Sequence, residues 1–432
     1  MWKNVQNLLK GFPIILGAIG VVGGSPAIAQ DDSSKSAPAS LTVAAAEEKS
    51  ECGGDWNSSQ CCDGGWMHSF DECKWVKLGV GLRASYNRVE DGGATAGHAD
   101  GFNVDNARIY LSGQAHPYIG FEFNTDINNA QGFEDVGDTF DNGGEMRILD
   151  AVIKMKLTDS VNLWVGRFLP PSDRANLSGP FYQNSWEFPW AQFGYHNIFQ
   201  GRDDGMTLWG QVDGGKFKWA VGLFEGVDGA TGAPHPNDDD HVMVTARVVA
   251  NLLDPEPGYY NQSTYYGEKE ILAIGASIFN QTSAVGLPSA IGHYTAWNID
   301  ILWEHALENC GVVTVEGAYY DFDDDDAAQS DPSGIFTDTS RQGDSYFILA
   351  SYLMPNEVNL GNLSGRFQPS IRYLEYERDF AAAGDRADQI DYQLNYIMEG
   401  HNSRIAMVMS SRRRTGVGDR DFIFRLGYQV QF

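Results

Sequence analysis

The feature that most constrains this chain is a two-residue alternation of apolar and polar side chains that sets in at Trp75 and recurs, segment after segment, to the final residue. In the first such segment Val76, Leu78, Val80, Leu82, Ala84 and Tyr86 alternate with Lys77, Gly79, Gly81, Arg83 and Ser85. A strand turns successive side chains to opposite faces, so the pattern specifies strands with one apolar and one polar face. Ala107, Ile109 and Leu111 stand against Arg108, Tyr110 and Ser112, and Ile119, Phe121 and Phe123 against Gly120, Glu122 and Asn124. Leu149, Ala151, Ile153, Met155 and Leu157 oppose Asp150, Val152, Lys154 and Lys156. Each run holds about ten residues, enough for a tilted strand to cross a bilayer.

The same count predicts strands near 75–87, 104–116, 117–127, 146–157, 160–169, 203–213, 216–226, 241–251, 269–281, 294–306, 310–322, 343–354, 364–378, 387–399, 402–411 and 420–432, sixteen in all. Their joins alternate in length: 88–103, 128–145 and 170–202 are long, whereas His116-Pro117 and Thr158-Asp159 are tight. Short turns on one side and long loops on the other are the habit of outer-membrane barrels. Two joins, 252–268 and 355–363, are longer than that habit predicts for the side of the short turns.

A soluble sandwich or propeller would also show short alternating strands. No blade-length repeat is present, however, and the last strand sets Phe424, Leu426, Tyr428, Val430 and Phe432 against Arg425, Gly427, Gln429 and Gln431. In lipid every backbone donor and acceptor needs a partner, so such strands must close on themselves. The expectation is an all-β fold: a 16-stranded antiparallel transmembrane β-barrel over residues 75–432, preceded by a short cysteine-containing N-terminal periplasmic extension.

Helical membrane architectures are excluded, because no run approaches the roughly 20 uncharged apolar residues that a spanning helix needs. The first residues read as a signal peptide over 1–29, with Lys3 and Lys10, an apolar stretch from Phe12 to Val22 and the small-residue site Ala27-Ile28-Ala29. Residues 30–74 then form a polar linker and cysteine-rich extension, of which 31–50 has no apolar face. In an exported chain the clustered Cys52, Cys61, Cys62 and Cys73 are expected to form disulfides, with connectivity open, and their spacing fits no zinc or haem pattern. A formal charge of −28 argues against nucleic acid as a partner.

Three groups of residues stand out along these strands: Asn106-Ala107-Arg108-Ile109-Tyr110-Leu111 with Gly120-Phe121-Glu122-Phe123, then Trp164-Val165-Gly166-Arg167-Phe168-Leu169-Pro170-Pro171, then Gly201-Arg202-Asp203-Asp204-Gly205 with Val221-Gly222-Leu223-Phe224-Glu225-Gly226. Together with Leu394-Asn395-Tyr396 and the terminal Phe432, they resemble the phosphate-selective porin family, the porins O and P of bacterial outer membranes. The resemblance implies sixteen strands, a homotrimer in outer-membrane lipid of a Gram-negative bacterium, and passive diffusion of small anions through each protomer.

A porin needs no catalytic residue; it supplies a polar, water-filled path whose bore and charge select the solute. If apolar residues face lipid, the alternation sends Arg83, Arg108, Lys154, Lys156, Lys218, Arg247, Arg372, Arg404 and Arg425 inward. It sends Glu122, Asp126, Asp150, Asp300, Glu304, Glu316 and Asp391 inward as well, a nearly balanced set. Each inward arginine is either a selecting charge or the partner of a neighbouring acid. The longest loop carries Arg174, Phe181, Tyr182, Trp186, Phe188 and Trp190, and so much aromatic surface predicts an inward-folded constriction rather than an outer lid.

No cofactor is expected. The acidic runs Asp238-Asp239-Asp240 and Asp321 to Asp326 have oxygen ligands suited to calcium, but neither matches an EF-hand, and solvated loops are the preferred reading. No G-x-S-x-G or Ser-His pairing suggests an enzyme. The leading expectation is therefore a diffusion porin for small hydrophilic solutes, anions such as phosphate among them. The alternatives are a general or cation-preferring porin governed by acidic loops, and a plugged structural or enzymatic barrel.

Overall fold

A computed structural model describes residues 66–71, 73–90, 97–127, 145–191, 195, 198–226, 241–287, 290–325, 342–378, 386–413 and 420–432, without the side chains of 286, 287, 290 and 378. The strands are β1 (Trp66–Asp71), β2 (Lys74–Glu90), β3 (His98–His116), β4 (Ile119–Ile127), β5 (Met146–Lys156), β6 (Val161–Phe168), β7 (Asp203–Val212), β8 (Phe217–Phe224) and β9 (Met243–Asn251). They continue as β10 (Ile271–Leu287), β11 (Ala290–Leu307), β12 (Gly311–Asp323), β13 (Gly343–Leu353), β14 (Val358–Leu360), β15 (Leu363–Arg378), β16 (Arg386–Glu399), β17 (Ser403–Arg413) and β18 (Arg420–Gln431). Sixteen of these close into an antiparallel barrel, because β18 returns to pair with β2 from Phe422↔Glu90 to Gln431↔Gly81.

Each of the sixteen predicted runs corresponds in order to one barrel strand. The alternation predicts a loop over 282–293, whereas β10 continues to Leu287 and β11 begins at Ala290. A bulge between Gln281 and Val285, with Ser283 at φ 54°, breaks the alternation there. A second bulge, between Asn124 and Thr125, shifts β5 in the same way. Leu149, expected on the outer face, is consequently buried, and Ile148 takes the outward position.

Two short strands have no counterpart in the predicted set. β14 forms a hairpin with β15, which accounts for the long join before it. β1, within the segment expected to be a polar extension, pairs with Lys74–Leu78 of β2. It lies on the edge of β2 that β18 serves, just beyond the exchange of backbone hydrogen bonds between Phe432 and Val80 (both 3.0 Å). The N-terminal segment thus continues the ladder where the C-terminus stops.

Outward positions carry a band of exposed Ile, Val and Leu, among them Ile153, Val221, Ile299, Ile348 and Ile371. Exposed aromatics flank it, with Tyr118, Phe217 and Phe432 towards the end that holds the C-terminus and Phe102 and Tyr319 towards the other. A barrel in water would lose free energy through such a belt, whereas in lipid it is the surface that matches hydrocarbon between two interfaces.

The inner face departs from the expected polar lining. Trp164, Phe168, Trp209, Phe224, Phe279, Tyr320 and Phe347 are buried inside, so the wall from β6 to β13 carries apolar side chains on both faces. Period-two alternation reports only a difference between faces, and here the inner face packs against chain inserted from both ends.

Candidate functional site: two inserted segments and a charged wall

The join between β6 and β7 folds into the barrel. Its residues 169–186 are buried, and it holds a short helix, α1 (Arg174–Tyr182). Asp173 caps the helix by accepting from the backbone N–H of Ala175 (2.9 Å) and Asn176 (3.3 Å), which satisfies donors that a first turn leaves open. Gly179, at φ 69°, and Pro180 break the helix and swing the following segment across the interior. Phe181, Tyr182 and Trp186 are buried and Trp190 is partly buried.

The second insertion, 252–270 between β9 and β10, enters from the opposite end, which explains its excess length on the side of the tight turns. Glu304 holds it, accepting from the backbone N–H of Tyr265 (3.0 Å) and Gly267 (2.9 Å) and from the hydroxyls of Thr264 (2.7 Å) and Thr314 (2.9 Å). The two insertions meet at Arg174, whose Nη1 and Nη2 donate to the two carboxylate oxygens of Glu256 (2.7 and 2.6 Å). Burial alone would raise the Glu256 pKa, but Arg174 and Lys218 overcome it and bring it down to about 2. Tyr259 adds a hydrogen bond to the Leu169 carbonyl (2.8 Å), and the backbone N–H of Ser263 one to the Tyr182 carbonyl (3.1 Å).

Of the inward charges expected from the alternation, all but Lys156 are buried on the inner face; Lys156 sits at a turn and pairs with Asp159 (3.1 Å). Most are neutralised locally. Arg108 pairs with Asp126 (2.7 Å), Arg247 with Asp300 (2.6 Å), Arg372 with Asp391 (2.7 Å) and Lys154 with Glu122. Asp150 is taken by Arg202 (3.1 Å), and Glu316 accepts from Ser263 (2.9 Å). Glu304 and Glu316 thus anchor an insertion rather than present free charge.

Four arginines from β2, β15, β17 and β18 converge on residues 183–187 of the first insertion. Arg404 donates to the Gln183 carbonyl (2.7 Å), Arg372 to the Glu187 carbonyl (2.7 Å), Arg83 to the Trp186 carbonyl, and Arg425 to the Glu187 carboxylate. The Arg83 guanidinium also lies over the Trp186 ring at 4.0 Å. Arg83 and Arg404 have no carboxylate within ion-pair distance among the described residues; carbonyls, amide oxygens and an aromatic face hold them. This sector carries more positive than negative charge.

Sequence reasoning missed Arg202, Glu187 and Glu256. Arg202 lies in one of the motif groups that carry the family resemblance, and Glu256 in a join whose only signal is its excess length. Of the cysteine cluster, Cys52, Cys61 and Cys62 lie outside the described residues, so its pairing stays an expectation; Cys310 is a free, exposed thiol in the turn before β12. Asp238–Asp240 and Asp326 also lie outside, and among the described residues no group of three His, Cys, Asp or Glu side chains is placed to hold a metal.

His401, in the turn between β16 and β17, is wedged between Tyr182 and Tyr266 with Nε2 at 2.9 Å from the Thr264 carbonyl. Burial pushes its pKa down to about 4, and the nearby Arg404 charge acts in the same direction. The unfolded chain therefore takes up the proton first, so this contribution to stability is complete above about pH 6.5 and is lost as pH falls towards 4. The displacement corresponds to roughly 3 kcal/mol. Urea unfolding of wild type and His401→Gln between pH 8 and 4 should show the wild-type advantage shrinking on acidification; a difference constant with pH would remove His401 from this role.

A closed antiparallel barrel with an apolar outer band, aromatic girdles and an inward-folded loop defines an outer-membrane β-barrel of the porin class. Residues 76–247 match the family model described as phosphate-selective porin O and P, so the chain resembles that family over the stretch carrying its three motif groups. No curated protein matches it. Among solved structures, the high-pH structure of Pseudomonas putida OprB aligns at TM-score 0.55 and 11% identity, covering 83% of this chain and 94% of that one. An anion-selective porin from Comamonas acidovorans aligns at TM-score 0.53 and 11% identity, over 83% and 100%. Salmonella typhi OmpF in complex with daunomycin aligns at TM-score 0.50 and 13% identity, over 82% and 98%. At these identities the likeness is one of fold.

Proposed function

We propose that this chain is an outer-membrane diffusion channel with a preference for small anions such as phosphate, working as a homotrimer, with its bore narrowed by the two inserted segments. The observation that carries the anion preference is the arginine sector, in which Arg83 and Arg404 have no carboxylate within ion-pair distance among the described residues. A unit charge ~8 Å from a permeating ion contributes about 2 kcal/mol at an effective dielectric near 20. Acidic loops at the mouth act across a Debye length of only about 8 Å at physiological salt.

The test is the reversal potential of the purified protein in a planar bilayer under a potassium chloride gradient. Wild type should favour chloride, and Arg83→Gln with Arg404→Gln should cut the anion-to-cation permeability ratio on the order of tenfold. Arg108 and Arg247 serve this purpose less well, since removing either strands Asp126 or Asp300. A cation-selective wild type that the arginine changes leave unaltered would hand the function to the acidic-loop porin.

A further inference from the structure

The short strand β1 has two faces of different chemistry. Trp66 stands opposite Leu78 and His68 opposite Val76, and directly opposed residues share a face, so both rings lie on the outward side of the wall. Phe70 follows them across a bulge, and the three rings make a continuous row. Trp66 and His68 are nearly parallel with centroids 5.8 Å apart, and Phe70 meets His68 edge-on at 4.8 Å. Met67, opposite Lys77, lies on the other face. Trp66 is 62% and Phe70 67% exposed, an aromatic surface that water does not favour.

The row stays within the rim of the barrel. β1 ends where Asp71 faces Lys74, and Trp75 of β2 stands opposite Gln114, so β1 reaches no further than the neighbouring turn of His116 and Tyr118. At its other end Trp66 faces Leu78, and the next outward residue of β2, Val80, is the one that Phe432 pairs with. The same rim repeats the arrangement elsewhere: on β11 the outward Trp303 and His305 lie within 11° of parallel at 6.2 Å, and His116 meets Tyr118 at 5.9 Å. Rings with a polar edge settle in the headgroup layer, where the ring leaves bulk water and its N–H or O–H stays hydrated.

We propose that Trp66, His68 and Phe70 are seated in the phospholipid headgroup layer of the periplasmic leaflet, which makes β1 an interfacial anchor rather than a free periplasmic strand. The occupant is lipid and not a second copy of the chain, because the row continues the girdle of Tyr118, Phe217 and Phe432 on the same outward face and at the same end. The anchor is independent of the ion preference of the pore.

The probe is a phosphatidylcholine nanodisc carrying a headgroup nitroxide lipid, with the full-length protein inserted. In a Cys310→Ser background, which removes the exposed free thiol, a bimane fluorophore is attached through either His68→Cys or Met67→Cys. The headgroup nitroxide should quench the label at 68 severalfold more than the label at 67, and aqueous iodide should do the reverse. Equal quenching at the two positions overturns the proposal. So does a label at 68 shielded from both quenchers, which would place a second protein surface on the row. If the new thiols disturb folding, hydroxyl-radical footprinting of the wild type decides: Trp66 and Phe70 should be protected in nanodiscs relative to the free peptide Trp66–Asp71, with Met67 still reactive. Full reactivity of Trp66 and Phe70 overturns the anchor and leaves the reversal-potential test of channel selectivity untouched.

Discussion

Replacing Glu256 by alanine should destabilise the barrel by about 3–5 kcal/mol, because it leaves the Arg174 guanidinium buried without its bidentate partner. Glu256 also accepts from the Tyr265 hydroxyl (2.6 Å), so the change strips the second insertion of two contacts at once. Those losses fall where the insertions from opposite ends meet, and the expected functional consequence is a larger, noisier single-channel conductance. Replacing both partners by apolar residues, Arg174→Met with Glu256→Leu, should recover much of the stability, since a buried pair costs desolvation that an apolar pair does not. Chemical unfolding in detergent, combined with bilayer recording, reads both effects. A Glu256→Ala protein as stable and as quiet as wild type would mean that the pair does not join the insertions.

Trp186→Ala should have the next largest effect, about 3–5 kcal/mol, from loss of a buried indole and the space it leaves. The ring packs against Ala406 and Val408, and it fills the space above Gly427 so closely that any side chain at 427 would collide with it. It also faces the Arg83 guanidinium, an interaction worth roughly 0.5–2 kcal/mol. Without the indole, the arginine sector loses its aromatic partner and residues 183–187 lose their anchor. Conductance should rise together with the drop in stability, and Trp186→Phe should restore most of both. If alanine lowers stability while conductance stays the same, Trp186 supports the wall without setting the bore.

Different kinds of information set the barrel and its interior. Strand number, order and outward face were legible in the sequence, because a strand half in lipid must alternate and the alternation is local. From Val76 to Tyr86 and from Phe424 to Phe432 one can read which atoms meet hydrocarbon. Where a bulge changes the phase, as at Leu149 and at Gln281 to Val285, the pattern fails for the same local reason. The inward direction of Arg83, Arg108, Arg247 and Arg404 followed from the alternation too.

Only the tertiary structure decided what those charges do. Arg108 and Arg247 are neutralised by Asp126 and Asp300, whereas Arg83 and Arg404 are held by carbonyls and an indole, and no spacing in the chain separates the two cases. Arg174 and Glu256 stand 82 residues apart on joins from opposite ends, and they meet because closure of the barrel brings both joins into one interior. Alternation along a strand is fixed by neighbours two residues away, while neutralisation of a buried charge depends on which distant segment fills the space beside it.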